Sequence, residues 1–130
     1  MKYILIALLA IPSISFAQTK PDYEHAIGKF MKFYNSGQTD SIISQYSDMW
    51  GSNKPGLWTP EQNKKLQEKY GKMISYKYLG MSKEDNVAVF RTVFSKSTHA
   101  TSLSLDKQKK IETFRFDTMS DEIKVMMKKE

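Results

Sequence analysis

The sequence predicts a single α+β domain, with helices first and an antiparallel meander after them. Up to Gly71, apolar residues recur at three- and four-residue spacing. Beyond it they fall into short aromatic and β-branched runs separated by polar turns. The chain has 130 residues, 40% of them hydrophobic, and no Cys, so one core must form without disulfides. Helices followed by strands is the order expected of helices laid on one face of a curved sheet.

Residues 1–17 precede this domain and have the layout of a secretory signal peptide. Met1-Lys2 is a positive start, Tyr3 to Ile11 is apolar, and Ser15-Phe16-Ala17 offers a small-x-small cleavage site before Gln18. The run is too short for a membrane span, which needs roughly 20 apolar residues. No Cys follows it, which disfavours a lipid anchor. The expectation is export, cleavage after Ala17, and a single domain over 18–130 in the periplasm or outside the cell.

The first helix is expected from Asp22 to Ser36. Tyr23, Ala26, Ile27, Phe30, Phe33 and Tyr34 make one face, with Pro21 at the start and Gly37 just past the end. Thr39 or Asp40 caps a second helix carrying Ile42, Ile43, Tyr46 and Met49. Gly51 to Gly56 is turn-rich. Thr59-Pro60-Glu61-Gln62 then reads as a capping box with Pro at the first helical position, and Gly71 ends that third helix. Met73 to Met81, Val87 to Ser95, Thr98 to Leu105 and Ile111 to Asp117 read as strands. Val87 to Ser95 is apolar on both faces, as a covered central strand is. Glu122 to Met127 fits either a last strand or a helix. Phe30, Phe33, Ile43, Val89, Leu103, Ile111 and Phe114 are the expected core.

The stretch from Phe94 to Phe116 reads FSKSTHATSLSLDKQKKIETFRF. Asp106, Lys110, Ile111, Phe114 and Phe116, with Phe30 and the Gly37-x-Thr39-Asp40 turn, resemble a pattern of the nuclear transport factor 2-like superfamily. The likeness is greatest to small exported bacterial domains of unknown function often found beside serine hydrolases. The Gly usual in that pattern just before the Lys is Lys109 here. The resemblance implies a cystatin-like cone whose open end forms a pocket between sheet and helices, and pairing of two copies through the sheet. Some members, such as ketosteroid isomerase, limonene epoxide hydrolase and polyketide cyclases, catalyse in that pocket.

Such catalysis needs a buried acid or base opposite a hydrogen-bond donor. Most acids here fall in turns or at helix ends, and Asp117 is the one carboxylate at a sheet position worth suspecting. His25 and His99 are both expected at the surface. Two imidazoles and no Cys argue against a metal centre. The Ser and Thr residues have no evident partner base. No cofactor and no catalytic residue is therefore expected.

The binding reading rests on Tyr46, Trp50 and Trp58 near the helical lid, with Arg91 as a forked anchor for an anion. Arg115 is a weaker candidate for that role. The expected function is an exported, non-catalytic module that takes a small apolar or anionic ligand or an envelope protein partner. A small lyase, isomerase or hydrolase of the ketosteroid-isomerase or polyketide-cyclase type is the alternative. The net charge of +6 becomes +5 when Lys2 leaves with the leader. The excess lies in Lys64-Lys65, Lys107 to Lys110 and Lys128-Lys129, which read as solvated faces. Nucleic acid is not an expected partner.

Overall fold

Four hydrogen-bonded strands in the order β1-β2-β3-β4 form the centre of the computed structural model, which describes residues 18–117 and 120–129. The signal-peptide expectation falls on residues 1–17 and lies outside the described residues.

Helix α1 spans Lys20–Ser36. It begins two residues before Asp22 because Thr19 caps it: the Thr19 N–H donates to Asp22 Oδ2 at 3.0 Å. It ends where expected, at Gly37, whose φ of 71° suits a residue without Cβ. Tyr23, Ala26, Ile27, Phe30 and Tyr34 are buried, whereas Phe33 is only partly covered.

Helix α2 spans Thr39–Gln45. The apolar spacing would carry it to Met49, but it stops earlier. Tyr46 turns into extended backbone and bridges in parallel to Ile111, and the Ser47 N–H donates to the Ile111 carbonyl at 2.8 Å. The sheet edge thus supplies partners that a further helical turn would have supplied. Met49 is left 66% exposed, not on a buried face.

The Gly-rich segment that follows is wound into 3₁₀ turns over Asp48–Leu57, broken at Gly51. Helix α3 spans Pro60–Tyr70 and starts on the expected capping box. Thr59 Oγ1 accepts from Gln62 N at 3.1 Å, and Thr59 N donates to Gln62 Oε1 at 3.0 Å.

The strands are β1 (Met73–Ser82), β2 (Val87–Phe94), β3 (Thr98–Leu105) and β4 (Ile111–Phe116), all antiparallel neighbours. Alternation along them sorts the residues onto two faces. Ala88, Phe90, Phe94, Leu103 and Leu105 join α1, Tyr46 and Trp58 in the main core. Val89 and Ala100 point the other way. The tail left open between strand and helix is helix α4, Asp121–Lys128, and it covers Val89 and Ala100 with Ile123.

One expectation is corrected here. The helices do not all lie on one face: α1 joins the main core with Leu66 and Tyr70 of α3, while α4 covers the reverse. On that reverse face Val89 and Ala100 are covered by the chain's own last helix. Ser120 makes that helix possible, since its side chain accepts from Ile123 N at 3.2 Å and caps the first turn.

Candidate functional site

The aromatic residues expected to line a pocket pack in or against the core, and Trp58 also lines a groove of about 310 Å³ with Leu57 and Leu66. Phe30 sits 4.3 Å from Phe114 and 5.2 Å from Trp58 between ring centroids, and Phe94 packs edge-on to Phe116 at 5.7 Å. Trp58 is buried and donates its Nε1 hydrogen to Asn63 Oδ1 at 2.9 Å. The Asn63 amide in turn donates to the Tyr34 carbonyl at 3.2 Å, adding to the bond this carbonyl accepts from the Gly37 N–H at the end of α1. Tyr46 is buried in the same core, and burial pushes its hydroxyl up to about 12. Trp50 lies at the edge, donating Nε1 to the Glu112 carbonyl at 3.0 Å. Tyr46, Trp50 and Trp58 therefore belong to one cluster, and a packed one. No Asp, Glu, Lys or Arg is buried among the described residues, so a ketosteroid-isomerase arrangement has no interior carboxylate there to use.

Arg91 is not near these rings. It opposes Ala100 and Lys77 across the reverse face of the sheet, and its guanidinium donates to the Met127 carbonyl. A cation at the last turn of α4 suits the negative end of that helix. The other end is held by Glu122, which accepts from Ser82 Oγ at 2.7 Å and from Lys83 N at 2.8 Å. These bonds, the Lys83 N–H first, hold its carboxyl below the usual range. Arg91 thus clamps α4 rather than joining an aromatic pocket.

Several grooves on the described surface have charged walls, and two of them bear on ligand binding. The larger, about 560 Å³, runs past Ser102, Ser104 and Thr113 and mixes Arg115 with Asp85 and Glu112. The smaller, about 380 Å³, lies between α1, the end of α2 and the β3–β4 turn, with Lys29, Lys109, Lys110, His25, Asp22 and Gln45 on its walls. Here basic residues predominate.

The turn that builds this second groove is held by Asp106. Its Oδ1 accepts from Gln108 N at 2.8 Å and from Lys110 N at 2.9 Å. Burial pushes its carboxyl up, but the Ser47 hydroxyl, these two amides and the Lys110 charge outweigh it and set the pKa below the ordinary value. Lys109 stands at φ 64°, the left-handed conformation that favours glycine, and pairs with Asp22 at 3.1 Å. The Thr19 N–H, more than Lys109, keeps Asp22 below its usual value against the opposing effect of burial. Lys110 Nζ donates to the Ser44 carbonyl at 2.9 Å, while Lys29 makes no ion pair among the described residues.

On the groove's inner wall Gln45 is 7% exposed. Its Nε2 donates to the Ala26 carbonyl at 3.0 Å, and its Oε1 has no hydrogen-bond partner. Sequence reasoning passed over this place, reading the Lys107–Lys110 run as a solvated face. The available signal was the Asp106-x-x-x-Lys110 turn itself, which gathers those lysines on one side.

Among the described residues no group of three or more His, Asp or Glu side chains could hold a metal ion. No helix there is long and apolar enough to cross a membrane. A scan against protein-family models and searches of curated proteins and solved structures find no match to this chain.

Proposed function

We propose that this chain is an exported binding module of the nuclear transport factor 2-like type, and that it holds a small anionic ligand in the lysine-walled groove beside Gln45. The observation that carries the reading is the orphaned Gln45 oxygen. A buried acceptor without a partner costs about 1–3 kcal/mol. A ligand that donates a hydrogen bond to it removes that cost. Lys29, Lys109 and Lys110 favour negative charge at the same place. The two requirements together describe a small anion that also carries hydroxyl or amino groups, such as a sugar phosphate or a hydroxy acid. A cavity of about 380 Å³ suits a ligand of that size.

The family reading is supported by the helices-then-meander order and by Lys109. Its φ of 64° falls where the resembled pattern carries Gly. The anion-binding role expected of Arg91 passes to the lysines, because Arg91 is engaged with α4.

Titration calorimetry with glucose 6-phosphate, glycolate and inorganic phosphate tests the proposal. At least one hydroxyl-bearing anion should bind, more weakly as salt rises. Lys29→Gln should weaken it at least several-fold, and Gln45→Met should remove the preference for hydroxyl-bearing anions over inorganic phosphate. Absence of binding by all three at millimolar concentration, or affinity indifferent to Lys29→Gln, overturns it.

A further inference from the structure

At the other end of β3 from the lysine groove, three side chains form a hydrogen-bonded line. Ser97 Oγ lies 2.6 Å from His99 Nε2, and Asp117 Oδ2 lies 2.5 Å from His99 Nδ1. An ionised carboxylate only accepts, so Nδ1 carries the ring hydrogen and donates it to Asp117. In the neutral ring Nε2 is then an acceptor and takes the Ser97 O–H. This is the order of contacts by which a serine is activated: hydroxyl on one ring nitrogen, carboxylate on the other.

The line is assembled by the sheet. Ser97 and His99 are two residues apart, leading into and along β3. Asp117 follows β4 and is fixed by its N–H to the Ala100 carbonyl at 2.7 Å. Asp117 adopts φ 57°, a left-handed conformation that Asp tolerates better than most residues. The imidazole is wedged between aromatic rings, with Tyr70 at 4.0 Å and Phe94 at 5.5 Å between centroids. Its side chain is 11% exposed, against 41% for Asp117. The ring is thus restrained while the line stays reachable from solvent. The Ser97 N–H donates to no carbonyl among the described residues. The backbone N–H of the nucleophile's own residue is one of the positions from which an oxyanion donor comes.

We propose that Ser97, His99 and Asp117 form a second, esterase-type site that accepts carboxylic esters with short acyl chains. Short chains are specified because the flanking surface is the half-buried Tyr70 and Phe116 rings rather than a deep cavity. Ser97 Oγ attacks the ester carbonyl carbon while His99 Nε2 takes the hydroxyl proton, and the carbonyl electron pair moves onto oxygen. When that pair returns, the bond to the alkoxy oxygen breaks, and the leaving group departs as the alcohol with the proton from His99. Water, deprotonated by His99, then attacks the acyl carbon. The carboxylic acid leaves, and Ser97 Oγ recovers its proton. Asp117 is the positioning residue, holding the ring with Nε2 towards Ser97.

The test uses the whole chain with p-nitrophenyl acetate and a fluorophosphonate probe, which loses fluoride as a serine oxygen bonds to phosphorus. Intact-mass and peptide analysis should place one adduct on Ser97. Ser97→Ala and His99→Asn should each lower ester hydrolysis by roughly 10²-fold or more with the fold kept, as circular dichroism melting checks. Asp117→Asn should lower the rate and change its pH profile, which a residue that only clamps the hairpin would not do. Lys64→Gln, on the exposed face of α3, should leave hydrolysis unchanged, and Ser97→Ala should leave anion binding in the lysine groove unchanged, so the two sites stand or fall separately. No adduct on Ser97, labelling of Lys or Tyr residues only, or a Ser97→Ala rate within about threefold of the parent overturns the proposal.

Discussion

The two faces of the sheet are built from different chemistry. On one, Phe30 and Tyr34 of α1 share a core with Trp58, Phe90, Phe94 and Phe114, with Tyr34 donating its hydroxyl to the Gly71 carbonyl at 2.7 Å. On the other, α4 rests on Val89 and Ala100 through Ile123 and is pinned at its ends by Glu122 and Arg91. The first face is held by large apolar areas that leave water, which carry most folding free energy. The second is held by a small apolar patch and a few directed polar bonds, each worth about 1 kcal/mol net. Stability is therefore concentrated on the aromatic face, and α4 is the segment that local opening would release first.

The largest difference between the faces should appear on truncating their central residues. Phe30→Ala removes a ring in contact with four others and should cost about 3–5 kcal/mol in urea unfolding. Ile123→Ala should cost only about 2 kcal/mol, because α4 can fray instead of destabilising the whole sheet. Equal losses would show that the two faces unfold as one unit and that the contrast has no energetic meaning.

A smaller effect should separate the faces by pH. Burial holds the Tyr34 and Tyr46 hydroxyls at about 12, and Tyr70 adds to the effect at Tyr34. In the unfolded chain they ionise near 10. Their contribution to stability is complete below pH 10 and is lost as pH rises towards 12. Alkaline unfolding followed by fluorescence should begin in that window, and Tyr46→Phe should reduce the pH dependence. Melting that begins near neutral pH would assign the sensitivity to other groups.

The smallest effect lies beyond both faces, at the β3–β4 turn. Lys109 holds a left-handed φ that costs a side-chain-bearing residue about 1–2 kcal/mol. Lys109→Gly relieves that cost but loses the pair with Asp22 and adds chain entropy, so a net gain of about 0.5 kcal/mol is expected. A net loss in thermal unfolding would mean that the Asp22 pair outweighs the backbone strain.

Much of the fold was legible because its signals are local. The Thr59–Gln62 capping box, Gly37 after α1 and the change of period at Gly71 each act through hydrogen bonds or spacing within a few residues. Each of those features lies where the spacing predicts it. Failures came where a distant partner intervened. Met49 fits the helical spacing of α2, but Tyr46 found Ile111, 65 residues later in the chain, and the helix stopped. Arg91 interrupts an apolar strand as a ligand anchor would, but no spacing rule could reveal that Met127 lies across from it.

The candidate sites divide in the same way. Sequence alone determined an α+β domain, its order of elements, its lack of thiols and most of its core residues, because periodicity and capping follow from the geometry of a helix or strand. It also singled out Asp117 as the one acid at a suspicious sheet position. Tertiary structure decided the rest. The antiparallel register of β3 and β4 brings Asp117 to His99, 18 residues away, and the packing of α2 against α1 buries the Gln45 amide beside lysines from the β3–β4 turn. Such meetings depend on how strands pair and helices dock, and the same local patterns are compatible with many pairings until the core selects one.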